Sequence, residues 1–192
     1  MTEEKQIEIH PFEPYLPVDA KVLIMGTFPP QPKRWSMEFF YPNRTNDFWP
    51  MMALIFKGDR KALLARDGKT FDLDAIKALL YRHHIALYDT GHKIRRLKDN
   101  ASDKFLDIIE PVDLYGVLER IPKCKTIGTT GEKAANIIAN LTHSEAPAMG
   151  CKTITPDGLS HWRLPSTSRA YPLALEKKAE YYRRMFQSVG LV

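Results

Sequence analysis

The chain has 192 residues, 44% hydrophobic and 27% charged, and its 28 Lys and Arg against 23 Asp and Glu give a formal charge of +5 and a pI near 9.1. That length suits one globular domain, residues 1–192, with a sizeable core, and the mild basicity permits a polyanionic partner without requiring one. Two cysteines, Cys124 and Cys151, exclude a four-thiolate metal or iron–sulfur site; the start MTEEKQIEIH is no signal peptide and no apolar run approaches the ~20 residues of a membrane span, so a cytoplasmic monomer without membrane contact is expected.

KVLIMGT (21–27) reads as a buried strand ending in Gly, followed by the Pro-rich loop FPPQPKR. FFYPNRTNDFW (39–49) then gathers three adjacent aromatics, a proline, two asparagines and then Phe-Trp. A buried amide needs partners for all its donors and acceptors, so Asn43 and Asn46 ask for more than packing. DFWPMMALIF (47–56) places Phe48, Met52, Ile55 and Phe56 at helical spacing, with Pro50 expected in the first turn.

FDLDAIKALLYRH (71–83) puts Leu73, Ile76 and Leu80 on one helix face, with Asp72 and Asp74 at its start as caps. HIALYDT (84–90) reads as a second buried strand. His83 and His84 would then point to opposite faces, one packed and one exposed, which argues against shared metal ligation. The basic run KIRRLK (93–98) reads equally well as a solvated surface loop or a phosphate-contacting one.

VDLYGVLERI (112–121) is amphipathic, CKTIGTTG (124–131) is a third strand, and GEKAANIIANL (131–141) is a helix. HWRLPSTS (161–168) is a short strand running into a polar loop, and PLALEKKAEYYRRMFQSVG (172–190) closes the chain as a helix. Strands alternating with helices predict a three-layer α/β/α fold around a central, mostly parallel four-stranded sheet. Ligands of such folds bind beyond the carboxyl ends of the strands, which singles out the loops after Thr27, Tyr88, Gly128 and Leu164.

Two familiar motifs are absent. GTTGEKAA lacks the phosphate-loop spacing, and Ala134 stands where a magnesium-binding hydroxyl belongs, so Gly131 reads as a strand-to-helix turn. There is no G-x-S-x-G nucleophile elbow.

GTFPP after the first strand, FFYPNRTNDFW before the first long helix, ALYD, GTTGEKAA and the late LPSTSRA, taken in order, resemble the uracil-DNA glycosylase superfamily over about Val22 to Phe186. The mismatch-specific uracil and hypoxanthine branches are most similar. No single motif is specific; their order and their fit to successive strand ends carry the likeness.

The resemblance implies a monofunctional glycosylase that flips a deaminated base, uracil or hypoxanthine, out of double-stranded DNA and hydrolyses its glycosidic bond with water, using no metal and no cofactor. It makes Asn46 the catalytic residue, with Asn43 as the alternative. Gly26 and Thr27 would read the base edge. Phe28, Phe39 and Phe40 would be stacking platforms, each worth ~1–3 kcal/mol per base. Ser166, Thr167 and Ser168 would donate to phosphates, and Arg169 would enter the groove or grip the backbone. Each residue also has a plain structural role open to it: Asn46 as a helix cap, the aromatics as core, the Ser/Thr loop as a turn.

The sequence departs from the family at three places. Phe28 stands where the mismatch branch has a water-positioning asparagine. Arg169-Ala170-Tyr171 replaces Pro-Ala-Asn, and Leu164 precedes Pro165 where the main uracil branch has histidine. A non-catalytic nucleic-acid or nucleobase-binding module on the same fold is the alternative, and an enzyme of small nucleosides a third.

Overall fold

Residues 6–100 and 102–192 are described by a computed structural model. In chain order they form β1 (Ile7–Ile9), β2 (Val22–Gly26), α1 (Phe48–Lys57), α2 (Leu73–Arg82), β3 (Ile85–Asp89), β4 (Gly91–Arg96) and β5 (Leu106–Pro111). Then follow α3 (Leu114–Glu119), β6 (Thr126–Thr130), α4 (Glu132–Leu141), β7 (Lys152–Ile154), β8 (Ser160–Leu164) and α5 (Leu175–Ser188).

The three segments read as buried strands become β2, β3 and β6, and every residue of all three is buried. Burial of successive residues means both sheet faces are covered, as in a parallel sheet packed between helices. The main sheet has the order β3-β2-β6-β8-β7; the first four strands run parallel and β7 is antiparallel. The expected four-stranded sheet therefore gains a fifth, edge strand. KTI is only three residues long and lies against one neighbour, too little to leave a periodic signal.

The register aligns the carboxyl ends. Gly26 pairs with Asp89, Met25 with Thr129, and Thr130 with Leu164. All four parallel strands thus stop at one edge and release their loops there.

A second, antiparallel sheet β1-β4-β5 lies outside the expected architecture. It absorbs the basic run: Lys93–Arg96 is strand, not loop. Its cations are paired across the ladder, Lys93 with Glu110 at 2.6 Å, Arg95 with Asp107 at 3.6 Å and Arg96 with Glu8 at 3.0 Å. The two histidines also differ from expectation. His83 ends α2 and packs on Phe56 with ring centroids 4.3 Å apart, while His84 adopts a left-handed φ of 56° ahead of β3.

Helix ends follow local chemistry. The Asp72 side chain accepts from the Ala75 amide at 3.0 Å, Pro50 sits in the first turn of α1, and Gly58 closes that helix with φ 73°. Trp49, Phe48, Phe40, Tyr182 and Phe186 fill the centre of the core. Among the described residues, no helix is long and apolar enough to cross a membrane.

His161 on β8 is fully buried; its Nε2 meets Thr129 Oγ1 at 3.0 Å and its Nδ1 has no partner among the described residues. Burial pushes its pKa down to about 4 from 6.5. The unfolded chain takes up this proton below 6.5 and the folded chain only below about 4, so stability falls as pH drops through that window. The expected loss is roughly 3 kcal/mol. Urea melts at pH 7 and 4.5 should show it in the wild type and a much smaller drop in His161→Gln.

Candidate functional site

The loops released at the common strand edge enclose a cleft of about 1000 Å³, lined by Phe28 and Pro29, Asp89, Thr130 to Lys133, and Leu164 to Tyr171. The β4–β5 connection adds Asp103, and the segment before α1 adds Tyr41, Asn43 and Asn46.

Gly26 is buried beside Asp89, Tyr41 and Thr130, which line the cleft floor. A Cβ there would lie 2.8 Å from Asp89 Oδ1, 3.2 Å from the Tyr41 hydroxyl and 3.5 Å from Thr130 Oγ1. Three polar groups therefore converge on space that only glycine leaves open. Tyr41 hydrogen-bonds with Thr130 at 3.1 Å and stacks on Phe48, centroids 3.7 Å apart and 13° from parallel. Its φ of 51° is left-handed, a conformation a bulky residue holds only where the surroundings enforce it. Burial raises its pKa well above the usual phenol value, so the hydroxyl stays protonated.

Two carboxylates stand beside the floor. Asp89 is 5% exposed, and its Oδ2 accepts from His10 Nε2 at 2.8 Å. The His10 ring is wedged among Phe12, Phe28, Phe40 and Tyr88, at centroid distances of 4.9 to 6.0 Å. Asp89 Oδ1 has no hydrogen-bond partner among the described residues. Asp103 accepts from Thr27 Oγ1 at 2.8 Å. Burial pushes its pKa up to about 6; the charge of Asp89 adds to the rise, while the Thr27 hydrogen bond, Lys133 and Arg96 oppose it. Its linkage is opposite to that of His161. The folded chain keeps this proton up to about 6 and the unfolded chain only to 3.8, so stability is lost as pH rises between them.

Asn46 is half-buried at the cleft wall. Its Oδ1 accepts from the Phe48 amide, the first of α1, at 2.9 Å, while its Nδ2 carries no protein hydrogen bond among the described residues. Support of the helix start and an unspent donor coexist in one side chain. Asn43 also lines the cleft, but its Oδ1 is taken by the amide and hydroxyl of Thr45 at 3.0 and 2.8 Å.

The other expected residues divide. Phe28 lines the cleft, half-buried, with the Arg96 guanidinium 5.9 Å from its ring centre. Phe39 and Phe40 do not line it. They are 7% and 1% exposed and pack on Trp49 and on His10, so the expected platforms become core and Tyr41, next in sequence, is the ring that faces the cleft. Gly26 and Thr27 accept the Thr90 and Gly91 amides on their carbonyls, both at 2.9 Å, and neither residue lines the cleft. Their part is indirect: Gly26 gives room, and the Thr27 hydroxyl holds Asp103.

Ser166 and Thr167 are half-buried and buried; Ser168 and Arg169 are exposed at the rim. The loop is fastened to the start of α1. The Asp47 amide donates to Thr167 O at 2.9 Å, Arg169 Nε meets Asp47 Oδ1 at 3.2 Å, and the buried Lys178 ammonium donates to Asp47 Oδ2 at 2.9 Å and Ser168 O at 2.8 Å. Arg34, Lys104, Lys133, Arg163 and Arg169 line the same cleft and make its lip basic. Among the described residues, no group of three or more His, Cys, Asp or Glu is placed to hold a metal ion.

Sequence reasoning missed Tyr41, Asp89, Asp103 and His10 as site residues. For Asp89 a signal existed, since ALYD ends a buried strand in a charge; for His10 and Asp103 the partners are 79 and 76 residues away.

No protein-family model and no curated protein matches the chain. Among solved structures, it is similar to the solution NMR structure of a "putative Uracil DNA glycosylase" from Methanosarcina acetivorans, at 21% identity over 96% of this chain and 99% of that one, with a TM-score of 0.62. The two chains share one fold, a parallel-rich sheet between helices.

Proposed function

We propose that the protein is a monofunctional DNA glycosylase that hydrolyses the glycosidic bond of a deaminated base, uracil or hypoxanthine, flipped from double-stranded DNA. The observation that carries this reading is the cleft lining, which brings together the neutral phenol of Tyr41, the carboxylates of Asp89 and Asp103, and Asn46, whose Nδ2 has no protein partner among the described residues.

The chemistry asks for these groups. As the C1′–N bond breaks, its electron pair passes to the departing nitrogen and positive charge develops on the sugar. Fixed negative charge in a site shielded from water stabilises that cation. Asp89 and Asp103 supply it. An amide is a poor base, so Asn46 works by orientation: its Nδ2–H holds a water or the base in place. Asp103, with its pKa near 6, is the group able to accept the water's proton at neutral pH. The rings of Phe28 and Tyr41 offer faces for the extruded base, and the basic lip and the Ser166–Arg169 loop offer donors for phosphates.

Labelled duplexes containing uracil, hypoxanthine or xanthine, incubated with the protein and then cleaved with alkali, test the reading. Strand breaks at the modified base are expected; intact strands for all three would overturn it. The support that Asn46 Oδ1 gives to the start of α1 favours the second reading, a binding module without catalysis, which predicts intact strands but retained affinity.

Arg169→Ala is expected to weaken duplex binding and to lower the slope of log affinity against log salt by about 0.9 for each phosphate that the guanidinium neutralises in the wild type. A titration from 50 to 200 mM salt measures it, and an unchanged slope would remove this side chain from the phosphates.

A further inference from the structure

The main sheet has two edges, and they end differently. Beside β3 the segment around Tyr15 completes the edge: the Tyr15 amide donates to Leu87 O at 3.0 Å and the Leu87 amide to Tyr15 O at 2.9 Å. Beyond β7 no further strand follows among the described residues. The Thr155 amide donates to Leu159 O at 2.9 Å and the Arg163 amide to Cys151 O at 3.1 Å, so Cys151, Thr153 and Thr155 face β8. Alternation then turns the backbone N–H and C=O of Lys152 and Ile154 away from the sheet. A row of such groups is a template for another strand. We propose that its occupant is a second copy of this chain: β7 pairs antiparallel with β7 of the copy, about a twofold axis at Thr153, and joins the two five-stranded sheets into one.

The residues of the edge select both partner and register. With the axis at Thr153, Lys152 lies opposite Ile154 of the copy and each such pair exchanges both of its backbone hydrogen bonds. Threonine then faces threonine, a stabilising cross-strand pair, and no like charges meet. An axis at Lys152 would set ammonium against ammonium. An axis at Ile154 would set Lys152 against Pro156, which has no N–H to give. A lysine often guards an edge, but this ammonium lies 5.6 Å from the Trp162 ring centre, turned back over its own sheet. Ile154 is 56% exposed, apolar surface that the copy covers. The strand is also pre-formed: Gly158, with φ 88°, closes the turn after it, and Thr155 Oγ1 accepts from the Leu159 amide at 2.9 Å. Gly150 lies against the Tyr181 ring of α5, so helix as well as strand flanks the seam. The small sheet offers no equal edge, because Glu8 at the middle of β1 would meet itself, and β5 carries Asp107, Glu110 and Pro111. A three-residue pairing is short, so the dimer is reversible, and the monomer expected from sequence becomes one side of an equilibrium. In this dimer β8 and its copy run antiparallel, so the two clefts open on opposite edges of the joined sheet and neither is covered.

Sedimentation and cross-linking test both the dimer and its register. The weight-average mass of the wild type is expected to rise with concentration from 22.1 kDa toward twice that value. Ile154→Lys sets ammonium against Lys152 of the copy at both ends of the seam and should weaken the dimer about tenfold or more. Adding Lys152→Glu to it makes those pairs opposite in charge and should restore the dimer, a rescue that a folding defect would not show. Single cysteines are then placed at 152, 153 or 154 in a Cys151→Ser background and oxidised. The two copies of residue 153 form a narrow pair, with Cα atoms about 4.5 Å apart, within disulfide reach. The two copies of 152, and of 154, stand about 8 Å apart, beyond that reach. Thr153→Cys should therefore give a covalent dimer, and Lys152→Cys and Ile154→Cys should not. A wild-type mass that stays at one chain at every attainable concentration would overturn the proposal, as it would if the edge takes only a strand of another protein. Equal cross-linking at all three positions, or a dimer indifferent to Ile154→Lys, would overturn it too. None of these readouts depends on the glycosylase reading, which stands or falls on strand breaks.

Discussion

Asn46→Ala is expected to lower the single-turnover excision rate by about 10²–10³-fold, the usual cost of removing one donor aimed at a transition state. Because Asn46 Oδ1 also accepts the first amide of α1, the same change should cost about 1 kcal/mol of stability. The two effects can be separated. Asn46→Asp keeps an acceptor for the Phe48 amide and removes the Nδ2–H donor, so it should restore the melting temperature and leave the rate low. Duplex affinity should stay close to wild type in both variants, since the amide touches no phosphate in this scheme. Excision at the wild-type rate by Asn46→Ala would remove the residue from the chemistry and leave it a support of the helix start.

Asp47→Ala should be the most destabilising single change at the site. Lys178 is 0% exposed, and its ammonium is held by Asp47 and one backbone carbonyl. Removing the carboxylate leaves an enclosed, uncompensated cation, which typically costs about 3–5 kcal/mol, roughly the difference between a folded and a marginal domain. Lys178→Met should cost less, because Asp47 keeps Arg169 and lies nearer to solvent. The double variant should recover part of the loss of Asp47→Ala, a coupling that urea denaturation can measure. If Asp47→Ala melted with the wild type, the pair would contribute nothing beyond geometry.

The parts of the fold that sequence made legible are those with local causes. VLIMG and IALY announce strands buried on both faces because nothing charged interrupts them, and Asp72 announces a helix start because its side chain reaches an amide three residues on. What escaped has distant causes. KIRRLK becomes strand only because β1 and β5 lie on either side of it and offer carboxylates. FFY gives no local hint of which ring turns outward; the left-handed backbone at Tyr41, stabilised by its stack on Phe48, sends Phe39 and Phe40 inward. Asp103 looks like any loop acid until Thr27 is folded beneath it.

Asp47 and Lys178 stand 131 positions apart, yet they form one electrical unit. Loss of Asp47 strands Lys178, whereas loss of Lys178 leaves Asp47 its contact with Arg169, so descendants of this gene that discard Asp47 should have discarded Lys178 as well. Any lineage that swaps the pair for hydrocarbon would also unhitch the segment bearing Arg169 from the helix that Asn46 begins. Loss of the pair would therefore be a marker, legible in genomes, of chains that have kept the architecture and changed its employment.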